Sequence, residues 1–105
     1  MAGAAGAVAG GVPVFEQGEE GDALYSLVSG AVGISARDPR DGQTRRLARL
    51  TPLEAFGEMA LLSHEPRSAT ATALRDTHLL RLGRSAFEEI VAEHPATLLY
   101  VARLL

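Results

Sequence analysis

The sequence predicts an α+β fold: an antiparallel β-roll or jelly-roll barrel with its helices gathered on one side. Short apolar segments separated by turn signals fill most of the chain, and a helical period begins only near residue 85. Strands followed by helices are typical of a sheet structure whose helices are segregated to one face or end. The 105 residues can bury one hydrophobic core, so a single domain is expected.

Composition excludes several classes of protein. The chain is 47% hydrophobic and 22% charged, as in folded globular proteins, and the absence of cysteine excludes disulfides and thiolate chemistry. A net charge of −3 argues against a broadly basic nucleic-acid-binding surface. The apolar runs are too short for a membrane span, and residues 1–11 lack the pattern of a signal peptide. A cytoplasmic module is therefore expected.

Residues 1–11, MAGAAGAVAGG, are rich in alanine and glycine, which predicts a linker or tail. The β-roll is expected over residues 12–83. Its first three strands are predicted at 12–15, 24–28 and 31–35, with a turn-rich acidic segment at 17–22.

Asp41-Gly42 predicts a β-hairpin with a type I′ turn, whose arms are 34–37 and 44–50. Residues 37–49 carry five arginines and two aspartates. We interpret this segment as a solvated hairpin, since no aromatic residues alternate with the arginines. The alternative is a nucleic-acid patch.

Two more strands are predicted at 69–74 and 78–82, and C-terminal helices over 84–105. Ser85 and Glu88 match a capping box, and His94-Pro95 ends the first helix. An apolar stripe then follows the helical period: Leu98, Val101, Ala102 and Leu105. The stripe is still running at Leu105, which predicts that the helix continues in a longer protein. It also makes this helix a candidate surface for pairing with a second copy.

The segment 56–70 contains the candidate ligand-binding residues. Gly57 permits close approach of the backbone, and 58–62 can form one short helical turn whose free N–H groups suit an anion. Arg67 lies immediately before a strand, and its planar fork of donors suits a phosphate, while Ser68 adds a hydroxyl and an amide. A carboxylate such as Glu58 would instead accept hydrogen bonds from sugar hydroxyls. These residues describe a nucleotide pocket, but their spacing alone slightly favours a structural ion pair between Glu58 and Arg67, so both interpretations stay open at this point.

Residues 56–73, FGEMALLSHEPRSATATA, resemble the phosphate-binding cassette of the cyclic nucleotide-binding domain family. The family includes catabolite activator protein, protein kinase A regulatory subunits and cyclic nucleotide-gated channels. Residues 18–25 and 29–32 resemble its glycine-bearing strand and turn, and Gly18, Gly21 and Gly30 would then serve tight turns at positive φ. Residues 87–90 and 94–95 resemble its hinge and C-terminal helices.

The resemblance implies a role for each residue of the segment. Arg67 would pair with the cyclic phosphate, and Glu58 would accept a hydrogen bond from the ribose 2′-hydroxyl. The other implied ligand-binding residues are Gly57, Met59, Ala60, Ser68 and Ala69 through nearby backbone amides, and Ile34 and Leu47 as apolar walls. Tyr100 and Arg103 are the candidates for capping the base, but we expect these side chains to face solvent instead.

The implied function is a sensor that uses no cofactor, performs no chemistry and signals to an output domain through its C-terminal helices. Its ligand is expected to be cyclic AMP, because serine at position 68 occurs in bacterial cyclic AMP binders, with cyclic GMP as the alternative. Two other functions stay open: a degenerate β-roll that only mediates interactions, and a cupin-like metal protein. The metal site is disfavoured because His64, His78 and His94 are widely separated. Leu53 departs from the family, which often has glycine there.

Overall fold

The computed structural model describes residues 3–103. Met1, Ala2, Leu104 and Leu105 lie outside the described residues, as do the side chains of Ala4, Ala5, Tyr100, Val101 and Ala102, so the predicted stripe is described only at Leu98. The elements are β1 (Gly3–Val8), β2 (Pro13–Phe15), β3 (Ala23–Ser29), β4 (Val32–Arg37), β5 (Thr44–Leu50), β6 (Ala55–Phe56), α1 (Met59–Leu62), β7 (Thr70–Ala73), β8 (Thr77–Gly83), α2 (Arg84–Glu93) and α3 (Ala96–Ala102).

Two antiparallel sheets of four strands form the body of the domain, in the orders β1-β8-β3-β6 and β2-β7-β4-β5. Alternate strand residues point inward and bury one core: Leu27, Val32, Phe56, Ala71 and Leu79. The predicted α+β roll with C-terminal helices is confirmed, although the two sheets do not close into a complete barrel. None of the helices in residues 3–103 has the length and apolar character that a membrane crossing demands.

The N-terminal segment corrects the prediction of a linker or tail at 1–11. Strand β1 pairs antiparallel with β8 from Gly3↔Leu82 to Val8↔Thr77. Its side chains are too small to show a strand period, so this pairing rests on the backbone hydrogen bonds that the edge of β8 offers. Tertiary context of this kind overrides weak strand propensity.

The hairpin has the predicted arms, since β4 ends at Arg37 and β5 begins at Thr44. The predicted type I′ turn is wrong, because Gly42 has a φ of +71° but Asp41 is not in the left-handed region. A six-residue loop forms instead, closed by the Gly42 amide donating to the Asp38 carbonyl at 2.7 Å. Arg40 donates to the Asp38 carboxylate and lowers its pKa.

Helix α2 corrects the predicted capping box. The helix begins at Arg84, one residue before Ser85, and its N-cap is Gly83 with no side-chain hydrogen bond. The Arg84 amide donates instead to the Asp22 carbonyl at 2.7 Å. Phe87 packs against Leu61 of α1 in a second buried cluster, so contacts outside the helix decide where it starts.

Leu53 is held in the left-handed region at a φ of 78° and is 90% exposed. Its amide donates to the Leu27 carbonyl at 2.8 Å, which fixes this conformation. A left-handed conformation costs a non-glycine residue roughly 1–2 kcal/mol. Glycine avoids this cost, but part of the gain is lost because glycine loses more conformational entropy on folding. We therefore expect Leu53→Gly to raise the free energy of unfolding in urea by about 0.5–1 kcal/mol. Leu53→Ala, which keeps the strain, should leave it nearly unchanged; equal stabilisation by both variants would contradict this account.

Candidate ligand-binding site

A cavity of about 350 Å³ opens between α1, the segment before β7 and the inner face of the roll. Phe15, Ile34 and Leu50 form its apolar side, and the segments 55–60 and 65–69 together with Ser63 form the rest. A wider depression of about 700 Å³ lies beside the β4–β5 hairpin, but Glu16 and Arg37, the charged residues that line it, are exposed. Electrostatic interactions are weak in such a solvated place. The smaller cavity is therefore the better candidate for binding a charged ligand.

Arg67 is the buried cation of this cavity. It lies in the segment that leads into β7 and is only 8% exposed. Its Nη1 donates to the Gly57 carbonyl and its Nη2 to the Ala23 carbonyl, both at 3.0 Å, and the guanidinium stacks 4.0 Å from the centre of the Phe15 ring. These contacts hold the side chain in one orientation at the cavity wall.

The Arg67 guanidinium carries an unsatisfied donor and a full charge. Its Nε is buried and has no hydrogen-bond partner within residues 3–103. Burial lowers the pKa of Arg67, but arginine stays protonated in proteins. An unpaired buried donor and an unpaired buried cation each carry a desolvation cost. An anion in the cavity would offset both.

Glu58 does not neutralise Arg67. In the described part of the chain the ion pairs involve Asp22, Asp38 and Asp41, so the alternative of a structural pair between Glu58 and Arg67 is not realised. Glu58 is half-buried, lines the same cavity and forms the N-cap of α1 without a side-chain hydrogen bond. Its carboxylate is thus able to accept hydrogen bonds from a ligand.

Two glycines give the guanidinium its space. Gly57 has a φ of +79°, and a Cβ there would lie 2.8 Å from Arg67 Nη1. Gly21 was expected to serve a turn at positive φ, but its φ lies outside that region; a Cβ there would lie 2.5 Å from Arg67 Nε. The role of Gly21 is therefore close packing against Arg67. The expected positive φ is confirmed at Gly18 and Gly30.

Most of the residues singled out from the sequence meet at this cavity: Gly57, Glu58, Met59, Ala60, Arg67, Ser68, Ala69 and Ile34. The Ala60 amide, expected to help cradle a phosphate, already donates to the Gly57 carbonyl at 3.2 Å. Arg103, one of the two candidates for capping the base, is exposed. Both charged side chains, Glu58 and Arg67, therefore line the cavity, whereas the expected backbone donor of Ala60 is already used within the protein.

Leu47 is the exception and corrects the predicted apolar wall. Ile34 pairs with Ala48 whereas Ser35 pairs with Arg46, so Leu47 is the extra residue of a β-bulge and is 62% exposed. A bulge reverses which residues of a strand face inward. Leu50, which pairs with buried Val32, lines the cavity instead.

Phe15, Leu50 and Gly21 were missed as site residues. No alternation in strand β5 marks Leu50, because a bulge interrupts the strand, and Phe15 and Gly21 come from segments distant in sequence. The completed site offers a buried cation, a free carboxylate and an apolar wall. Such a set suits a ligand that combines an anionic group, hydroxyls and a flat apolar ring.

Comparisons with known proteins identify a family for this chain. The cyclic nucleotide-binding domain family matches residues 7–94. The Cyclic AMP receptor protein of Thermus thermophilus is 44% identical over 95 residues, which are 90% of this chain and 44% of that protein. This chain spans less than half the length of that relative.

Solved structures give the same result. The catabolite activator protein of Thermus thermophilus has a TM-score of 0.86 at 39% identity, over 97% of this chain and 46% of that one. The regulatory domain of Toxoplasma gondii PKA, crystallised with cAMP, has a TM-score of 0.79 at 34% identity, over 85% of this chain and 33% of that one. Sequence and fold agree over most of the chain, and it belongs to the cyclic nucleotide-binding domain family.

Proposed function

We propose that this chain is a sensor that binds a cyclic nucleotide, preferably cyclic AMP, and performs no chemistry itself. The observation that carries the proposal is the buried Arg67 guanidinium, which has no carboxylate partner in residues 3–103 and one unsatisfied N–H. The phosphate of a cyclic nucleotide would accept hydrogen bonds from this group and neutralise its charge.

The remaining lining residues suit the rest of such a ligand. Glu58, whose carboxylate makes no hydrogen bond or ion pair with the residues that the structure describes, would accept a hydrogen bond from the ribose 2′-hydroxyl. Phe15, Ile34 and Leu50 would pack against the sugar and base. Ser68, which lines the cavity, is the basis for preferring cyclic AMP, because serine at this place accompanies cyclic AMP in bacterial members of the family.

The alternative of a degenerate roll that only mediates protein contacts is less well supported. Such a module would gain nothing from a buried unpaired cation, whose desolvation destabilises the fold. A cation retained at this cost is better explained by an anion that binds there. We further propose that α2 and α3 relay ligand binding to an output unit of a longer protein.

The test is calorimetric titration of the chain with cyclic AMP, cyclic GMP and 2′-deoxy cyclic AMP, repeated for Glu58→Gln. We expect the wild type to bind cyclic AMP most tightly. Glu58→Gln keeps the shape but weakens the bond to the 2′-hydroxyl, so it should weaken cyclic AMP binding about five- to tenfold and leave 2′-deoxy cyclic AMP nearly unaffected.

Wild-type protein that binds none of the three ligands would refute the proposed function. Equal losses for cyclic AMP and its 2′-deoxy analogue would refute the role of Glu58 alone. Glu65→Gln is the matched control, because Glu65 lines the same cavity but is exposed.

A further inference from the structure

We propose that Arg84 is a positioning residue that ties the start of α2 to the end of α1, so that a change in the ligand site moves α2. This inference rests on the proposed function, since it concerns how binding at that site is relayed. It gives a role to an arginine that does not line the cavity.

Arg84 reaches from the first turn of α2 to the carbonyls at the end of α1. Its side chain donates to the carbonyls of Ala60, Leu61 and Ser63, the last two at 3.4 and 3.3 Å. The last carbonyls of a helix have no partner within the helix and carry its partial negative charge. A guanidinium satisfies several of them at once, which a lysine cannot do with the same geometry.

The same arginine is also anchored through its backbone. Its amide donates to the Asp22 carbonyl at 2.7 Å, next to Gly21, which packs against the Arg67 guanidinium. Arg84 therefore contacts the loop before β3, whose Gly21 packs against Arg67, and the helix α1, which lines the same cavity as Arg67.

Apolar packing makes α1 and α2 a single unit beside this tie. Leu61 and Phe87 are buried together, 6% and 4% exposed, with Leu62 and Val91 packed against them. Ala60 and Met59, on the same short helix, line the ligand cavity. If ligand displaces α1, α2 would therefore move with it through the hydrogen bonds of Arg84 and the packing of Phe87.

The polar tie gives the contact a direction that apolar packing lacks. The contact between Leu61 and Phe87 holds the two helices together, but apolar contacts are non-directional and define the angle between the helices less sharply. Hydrogen bonds from one guanidinium to three carbonyls weaken steeply when their angles change. Arg84 thus fixes the orientation of α2 relative to α1, and the buried pair Leu61 and Phe87 supplies apolar contact between them.

The experiment is hydrogen–deuterium exchange of the full chain, with and without saturating cyclic AMP, for the wild type, Arg84→Gln and Arg84→Lys. We expect ligand to change exchange in the α2 amides of the wild type by about fivefold or more, and by less than about twofold in Arg84→Gln. Protection of α1 by ligand should persist in that variant, and Arg84→Lys should give an intermediate response. Arg75→Gln is the matched control, since Arg75 is exposed and donates to the Gly30 carbonyl, away from α1.

An α2 response in Arg84→Gln equal to that of the wild type would overturn the inference. If Arg84→Gln fails to fold, Arg84→Lys is used in its place. An α2 response in Arg84→Lys equal to that of the wild type would then overturn the inference. If the wild type binds no cyclic nucleotide, the proposed function fails, and the tie is then judged without ligand. Faster exchange of the α1 amides in Arg84→Gln than in Arg75→Gln would support it, and equal exchange would refute it.

Discussion

Arg67→Ala is expected to weaken cyclic AMP binding at least tenfold. A hydrogen bond to a charged group contributes roughly 1.5–3 kcal/mol, and each 1.4 kcal/mol corresponds to a factor of ten in affinity. The guanidinium is only 8% exposed, so solvent screens its attraction for a phosphate far less than it would at the surface. Within residues 3–103 no other buried cation lines the cavity to replace it.

Calorimetric titration with cyclic AMP measures this loss, and thermal unfolding checks that the variant is folded. The check is needed because Arg67 also satisfies the carbonyls of Gly57 and Ala23. Arg67→Lys keeps the charge but loses the fork and the stacking on Phe15, so an intermediate affinity is expected. Arg75→Ala serves as a control for loss of an exposed arginine. Unchanged affinity in a folded Arg67→Ala protein would remove this residue from the site.

The part of the site that follows from local spacing was predictable from the sequence. Gly57, Glu58 and Arg67 belong to one segment of 18 residues, 56–73, whose residue types allow an anion site with a hydroxyl acceptor, and the resemblance to a phosphate-binding cassette favoured that site over an ion pair. The strands with side chains large enough to show a period of two were found within one or two residues. Where the pattern was strong, local chemistry and the final fold agreed.

The rest depends on contacts that no local pattern encodes. The alanines and glycines of β1 carry almost no strand signal, and the free edge of β8 decides their conformation. The bulge at Leu47 moves Leu50 into the cavity, and a bulge of one residue cannot be read from alternation alone. Gly21 shows the same limit, because its neighbour Arg67 lies 46 positions along the chain.

Gly21→Ala should therefore weaken cyclic AMP binding about tenfold or more, although Gly21 itself does not line the cavity. The new Cβ would lie 2.5 Å from Arg67 Nε, 2.7 Å from its Cζ and 2.8 Å from the Cβ of buried Ala60. The guanidinium must move, since Ala60 has no rotamer with which to yield. Overpacking of this kind should also lower the free energy of unfolding by about 1–3 kcal/mol. Gly6→Ala is the matched control, because a Cβ at Gly6 meets nothing within 4 Å.

A double-mutant cycle separates displacement of Arg67 from general damage to the fold. If Gly21→Ala acts by moving the guanidinium, the double variant Gly21→Ala/Arg67→Ala should bind cyclic AMP no more weakly than Arg67→Ala alone. Removing the Arg67 side chain also removes two of the three close contacts, so part of the lost stability should return. Titration and urea unfolding of the four proteins measure both quantities. Additive losses of affinity would mean that Gly21 acts on the ligand site by a route other than Arg67.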